Sequence, residues 1–274
     1  MTGVLARTAE SVSGALRAVF AAERVAAEDG FLQDRDPRVT LLSLGGFALA
    51  VMLARTPAVT LCLGAATVGL ALLSAVPLRE LLGRSAVVPL AAAAVVLPQA
   101  VLLPGDALAG VSLLGVAVEL TDAGLAYVVR FTARVWVGVA LLSLLTMTTP
   151  FSALVAAMRE LRVPVALVWV LAVTYRYLFL FFDELRRLVL ARNSRTTGSA
   201  GARSEWRDAK RLAGTFLLRT LDRGERVGRG MRARGGARPP SPYGRSRAVD
   251  GYDYALSACA VAAVVGAGVV RWLP

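Results

Sequence analysis

Histidine is missing from all 274 residues of this chain. Its absence removes the commonest transition-metal ligand and the commonest general acid–base side chain. Lysine occurs once, at Lys210, with no glycine-rich approach before it. The chain therefore has no GxxxxGK[ST] phosphate loop and cannot hydrolyse ATP by that mechanism. Cysteine is limited to Cys62 and Cys259, each inside an apolar run. Both are expected to be buried small residues, and no disulfide framework is implied. No CxxC, HExxH or carboxylate cluster with ligand spacing occurs. On these grounds no catalytic, cofactor-binding or metal-binding residue is assigned, and the chain is expected to be non-enzymatic.

Apolar residues and arginine are abundant. Hydrophobic residues make up 56% of the chain and the mean hydropathy is +0.60. Soluble domains reach only about 45–50% even with glycine counted. The formal charge is +12, from 31 Lys and Arg against 19 Asp and Glu. A greasy chain with a positive excess reads as a membrane protein with a basic cytoplasmic part. Arg7, Glu10, Arg17, Glu23 and Arg24 interrupt every apolar stretch before residue 30, so a secretory signal is not expected there. Residues 1–37 are expected to form a cytoplasmic, partly helical lead-in.

Four apolar runs follow within residues 38–149: Val39–Ala54, Ala58–Val76, Ser85–Leu103 and Ala123–Thr148. Each is near the roughly 17–25 residues a helix needs to cross a bilayer. Pro37 suits a helix start, where a missing N–H costs nothing. Residues 104–122 hold Pro104, Gly105, Asp106, Glu119 and Asp122 and no cation, which predicts a loop on the non-cytoplasmic side. Arg130 and Arg134 share one face of the fourth run. They are read as snorkelling or paired within the bundle, or as bordering a substrate path. After Pro150, Ser152 is expected to cap a short helix over Ala153–Leu161.

Residues 184–247 contain 17 Arg and Lys against 5 Asp and Glu, a balance that equals the excess of the whole chain. Such a segment belongs on the cytoplasmic side. With the N-terminus inside, four crossings return the chain to the cytoplasm near residue 150. The apolar stretch Val163–Phe182, which contains Arg176, is therefore expected to be interfacial, re-entrant or packed on the bundle. A full crossing is the alternative. A last crossing is expected over Tyr254–Val270, within a C-terminal part covering 248–274. The expected fold class is an all-α membrane protein with about five transmembrane helices. Residues 150–183 are assigned to interfacial or re-entrant helices, and a cytoplasmic pair of long basic helices occupies 184–247.

The first basic helix is predicted over about Asp183–Arg195 and the second over about Ser204–Arg234. In the second, Trp206, Ala213, Phe216, Leu217, Leu221, Gly224, Val227 and Met231 recur at helical spacing and form one stripe. Gly235 suits the position just past a helix end. Gly228, Gly230 and Ala233 permit close approach of another surface, and Arg232 and Arg234 can pair bidentately with carboxylates. The pattern alone also fits a juxtamembrane patch held to anionic lipid. Nucleic acid is not an expected partner, because Trp206 by itself provides no stacking platform in the basic stretch.

An ordered set of short motifs carries a resemblance. They are Asp36-Pro37-Arg38-Val39, Thr148-Thr149-Pro150, Leu161-Arg162-Val163-Pro164, Thr174-Tyr175-Arg176-Tyr177, Asp183-Glu184-Leu185 and Met231-Arg232-Ala233-Arg234-Gly235. Over roughly residues 34–272 the chain resembles the transmembrane T component of energy-coupling factor transporters, of the cobalt-type CbiQ family. The resemblance implies a coupling subunit in the bacterial plasma membrane, with its basic region in the cytoplasm. It implies two ATP-binding subunits, which use the ATP, and a separate substrate-binding membrane S component. The cargo is cobalt ion, or a vitamin in other members; a basic membrane scaffold without transport is the rival reading. The resemblance assigns ATPase docking to Ala191 and Arg192, and to Ala233, Arg234 and Gly235. Asn193 stands where the first signature would have glycine. Phe216, Leu217, Leu221 and Val227 are expected to pack the coupling helices together or onto the membrane face.

Overall fold

The computed structural model describes residues 29–54, 56–113, 116–194, 202–235 and 249–272, together with Gly14 and Ala26. Its elements are α1 (Pro37–Leu53), α2 (Pro57–Leu73), α3 (Leu78–Val96), α4 (Gln99–Leu102), β1 (Ala107–Leu113), β2 (Val116–Thr121), α5 (Asp122–Thr148), α6 (Phe151–Glu160), α7 (Val165–Asn193), α8 (Ala202–Ala233) and α9 (Gly251–Trp272). The chain divides into two compact units, one formed by residues 22–157 with 246–274 and the other containing 158–245.

In the first unit, proline sets the helix starts. Pro37 and Pro57 occupy the first turns of α1 and α2, where no intrahelical donor is lost. The Asp36 carboxylate caps α1, accepting from the Arg38 backbone N–H at 2.9 Å and from the Arg38 guanidinium at 2.8 and 3.0 Å. That side-chain hydrogen bond holds the Asp36 carboxyl below its ordinary range, although burial pushes it up.

Helix α1 packs on α9 and α5, and α5 also lies against α2 and α3. Leu44, Phe47, Leu63, Val137, Leu144 and Leu256 belong to the resulting core. Gly124 marks the closest approach of α5 to α4: a β-carbon there would stand 2.6 Å from the Gln99 carbonyl oxygen and 2.7 Å from the Ala100 Cα. The Thr121 hydroxyl caps α5 by accepting from the Gly124 N–H at 3.3 Å. It also lies 3.2 and 2.9 Å from the carbonyl oxygens of Ala100 and Leu103, either of which can take its proton.

Residues read as lead-in belong to this unit. Phe31 N–H donates to the Leu73 carbonyl at 3.2 Å, Leu32 N–H to the Ser74 hydroxyl at 3.3 Å, and the Gln33 amide to the Ser74 carbonyl at 2.9 Å. Leu32 is buried. The Arg35 guanidinium lies 4.9 Å from the Phe31 ring centre and 5.1 Å from that of Tyr252. It faces Asp250 at 3.6 Å and the buried Asp253 at 4.0 Å. A stretch with no apolar periodicity thus ties the α2 end to the start of α9.

Several boundaries correct the expectations. Helix α3 begins at Leu78, before the expected start of the third apolar run at Ser85, and so includes Arg79 and Arg84 in its first turns. The expected loop over 104–122 contains an antiparallel hairpin pairing Ala107 with Thr121 and Leu113 with Val116. Its β-branched Val111, Val116 and Val118 favour a pleated strand. Helix α6 starts at Phe151, before Ser152, and the Pro150 carbonyl accepts its first N–H bonds, from Ala153 and Leu154. Cys62 and Cys259 are exposed, because each projects from the outer face of an apolar helix. The Arg134 guanidinium donates to the Ala54 carbonyl at the end of α1, so it is paired within the bundle.

Helices α3 with α4, α5, α7 and α9 are each long and apolar enough to cross a membrane, and α1 and α2 are apolar helices of 17 residues. Large apolar side chains cover their outer surfaces, Met52, Leu90 and Val95 among them. That surface suits hydrocarbon, where helices must satisfy every backbone group internally.

Candidate functional site

In the second unit the chain leaves α6 through Arg162, which has φ +62°. The Arg162 N–H donates to the Arg159 carbonyl and the Val163 N–H to the Met158 carbonyl, both at 3.1 Å. These bonds satisfy carbonyls at the helix end, and Pro164 then admits a new helix. The apolar stretch 163–182 and the first basic helix are one uninterrupted element, α7, of 29 residues. Asp183 and Glu184 change its polarity without breaking its backbone. Helix α8 covers Ala202–Ala233, within two residues of the expected span.

Contacts between α7 and α8 run in opposite order along the two helices. Arg192 near the end of α7 meets Asp208 near the start of α8 at 2.9 Å. Further along, the Phe181 and Phe216 rings meet edge to face, with centroids 6.1 Å apart, and Glu184 pairs with Arg219 at 2.6 Å. Beyond Phe181 the helices border an open cleft of about 360 Å³, with Trp169 and Tyr177 on one wall and Gly224, Val227 and Met231 on the other. Partly exposed ion pairs like these contribute about 0–1 kcal/mol each. They fix the register of the pair more than its stability.

The proposed docking residues fall at opposite ends of this pair. Ala191 is exposed and Arg192 half-buried against Asp208; Ala233, Arg234 and Gly235 are all exposed at the end of α8. Gly235 adopts φ +94° and its N–H donates to the Arg232 carbonyl at 3.2 Å. The left-handed conformation explains why glycine stands there. Of the four expected packing residues, Phe216 touches α7 and Val227 lines the cleft, whereas Leu217 and Leu221 remain exposed. With Trp206 and Leu218 they leave an uncovered apolar face on α8.

Sequence reasoning missed Glu184, Asp208 and Arg219 as the fasteners between the helices. A signal for the acidic pair existed. Only five acidic residues lie among 184–247, so each is a candidate partner for an arginine on a neighbouring helix. Arg219, one of many arginines, carried no comparable signal.

The family model described as "Cobalt transport protein" (CbiQ) matches residues 29–243. That range holds α1–α8 and both stretches expected to dock; α9 lies beyond it, so the match ends earlier than the sequence resemblance. Cobalt transport protein CbiQ of Rhodobacter capsulatus is 29% identical over 212 residues, covering 77% of this chain and 82% of that protein. An uncharacterized protein of Methanocaldococcus jannaschii is 28% identical over 209 residues, covering 75% and 71%. A second uncharacterized protein of that organism is 31% identical over 97 residues, covering 35% and 36%.

Proposed function

The chain belongs to the CbiQ cobalt transport protein family, and from that premise we propose that it is the coupling subunit of an ATP-driven energy-coupling factor importer of cobalt ion. It is a multi-pass plasma-membrane protein. In this reading two ATP-binding subunits hydrolyse ATP and a separate membrane S component binds the ion. The chain itself is non-catalytic and holds no cofactor. The observation that carries the reading is the paired α7–α8 element, which ends in an exposed Ala233-Arg234-Gly235 held by a left-handed glycine. Delegation of ion binding to another subunit is supported by the lack of histidine. Among the described residues, moreover, no three His, Cys, Asp or Glu side chains cluster as ligands.

Energetics favour α7 lying at the inner membrane face over a full crossing. Between residues 165 and 182 it carries eleven Leu, Val and Phe, worth together roughly 3–7 kcal/mol of insertion. The α8 segment across the cleft carries Arg223, Arg226, Arg229 and Arg232, and α7 itself carries Arg176. Drawing these five cations into hydrocarbon costs on the order of 12 kcal/mol or more. Five crossings then remain, by α1, α2, α3 with α4, α5 and α9, and the basic pair stays cytoplasmic.

The mechanism is mechanical. ATP closes the two ATPase subunits, whose acidic grooves hold Arg234 and Arg192. The α7–α8 pair moves with them, and its exposed apolar face displaces the S component. The test is ATP-driven cobalt uptake, and co-purification of the nucleotide-binding subunits, by an Arg234→Ala variant. Losing one side of a charge-assisted pair is expected to weaken assembly by at least about tenfold. Wild-type assembly and uptake would contradict the anchor role, and a chain recovered with lipid alone would favour a scaffold.

A further inference from the structure

We propose that the α7–α8 cleft holds one acyl chain of an anionic phospholipid, whose phosphate rests against Arg229 and Arg232. The cleft is open, about 360 Å³ in volume, and walled by Trp169, Tyr177, Phe181, Val227 and Met231. Gly224 and Gly228 line it and also line an adjoining groove of about 470 Å³ bordered by Glu225, Arg229 and Arg232. An apolar slot and a cationic shelf therefore meet across a floor without side chains. That is the form of an amphiphile with a negative head.

A single hydrocarbon chain is thinner than a helix, which is about 10–12 Å across with its side chains, and fits an apolar slot of this volume. Charge decides the headgroup class. Two guanidinium forks can grip phosphate oxygens bidentately. Glu225 opposes one of them, so a zwitterionic head, which adds its own cation, gains less than an anionic one. The inference needs only that the chain resides in a bilayer. It stands or falls apart from any nucleotide-driven partner.

The full-length chain, purified in mild detergent, would be offered phosphatidylglycerol or phosphatidylcholine of matched acyl length, and bound lipid counted by native mass spectrometry. The wild-type chain is expected to retain phosphatidylglycerol about fivefold over phosphatidylcholine, the effect of one net cation near the surface. Gly228→Leu should abolish retention of both, because Gly228 lines the cleft and the adjoining groove alike, and a β-carbon there meets only the Arg232 guanidinium, at 3.7 Å, so added bulk fills the place where the two join. Arg229→Gln with Arg232→Gln should leave a chain that binds both lipids equally. This pair reads the headgroup site even if Gly228→Leu fails to fold. Wild-type retention by a folded Gly228→Leu chain would overturn the proposal. So would equal loss of the preference in a control carrying Arg203→Gln and Arg207→Gln at the far end of α8.

Discussion

Gly235 and Arg234 close α8 by different physical means, and their substitutions should fail differently. At φ +94° an alanine in place of Gly235 is strained by about 1–2 kcal/mol. Gly235→Ala is therefore expected to fray the last turn, read as faster amide exchange over residues 231–235, while the charge of Arg234 persists. Arg234→Lys keeps the charge and loses the planar fork. Its recovery of nucleotide-binding subunits should fall between those of the wild type and Arg234→Ala. At the other end of the chain, Asp36 contributes stability through its ionised form. Its folded pKa is depressed by the Arg38 hydrogen bond, so the contribution is complete above the unfolded carboxyl value of about 3.9 and is lost as pH falls through the lower folded value. Asp36→Asn is expected to lower the melting temperature at neutral pH, with about 0.5–2 kcal/mol of capping energy removed. It should also flatten the acid limb of the stability profile. An unchanged acid limb would mean that Asp36 titrates alike in both states.

At the scale of elements, α7 and α8 are joined by one ring contact and two ion pairs. Their relative worth follows from exposure. A double-mutant cycle on Glu184→Gln and Arg219→Gln should give a coupling of about 1 kcal/mol or less. Phe216→Ala, which removes an aromatic pair together with its buried area, should separate the helices more, seen as a wider distance between spin labels placed at the exposed positions 187 on α7 and 215 on α8. If the ion pairs prove the stronger link, α7 and α8 are held by charge and their spacing becomes salt-dependent. Some helix limits were legible because punctuation residues act locally: Pro37 and Gly235 each fix a terminus by backbone geometry alone. The hairpin at 107–121 was not legible, since Pro104, Gly105 and Asp106 signal a connection whether or not the residues beyond them pair. The continuity of α7 was also hidden. A change from apolar to charged side chains at Asp183 looks like a boundary, yet helix backbones do not register it.

For the whole molecule, length, hydropathy and charge asymmetry were enough to place it in a membrane as a mostly helical protein. The partition of contacts was not. Arg35, set between Phe31 and Tyr252 and facing Asp253, ties residues far apart in sequence, and only tertiary structure brings them together. The exposed Cys62 and Cys259 show the same limit, because apolar runs in a bilayer protein face outward as readily as inward. These two thiols also make the topology measurable. After Cys62→Ser and Cys259→Ser, a single cysteine would be placed in α8 as Ser204→Cys or Gly230→Cys, both at exposed positions, or before β1 as Pro104→Cys. Intact cells would then meet a membrane-impermeant maleimide. Residue 104 is expected to label at once, and residues 204 and 230 only after the membrane is opened. Labelling of residues 204 and 230 from outside intact cells would contradict this topology, because no cytoplasmic motor could then reach Arg234.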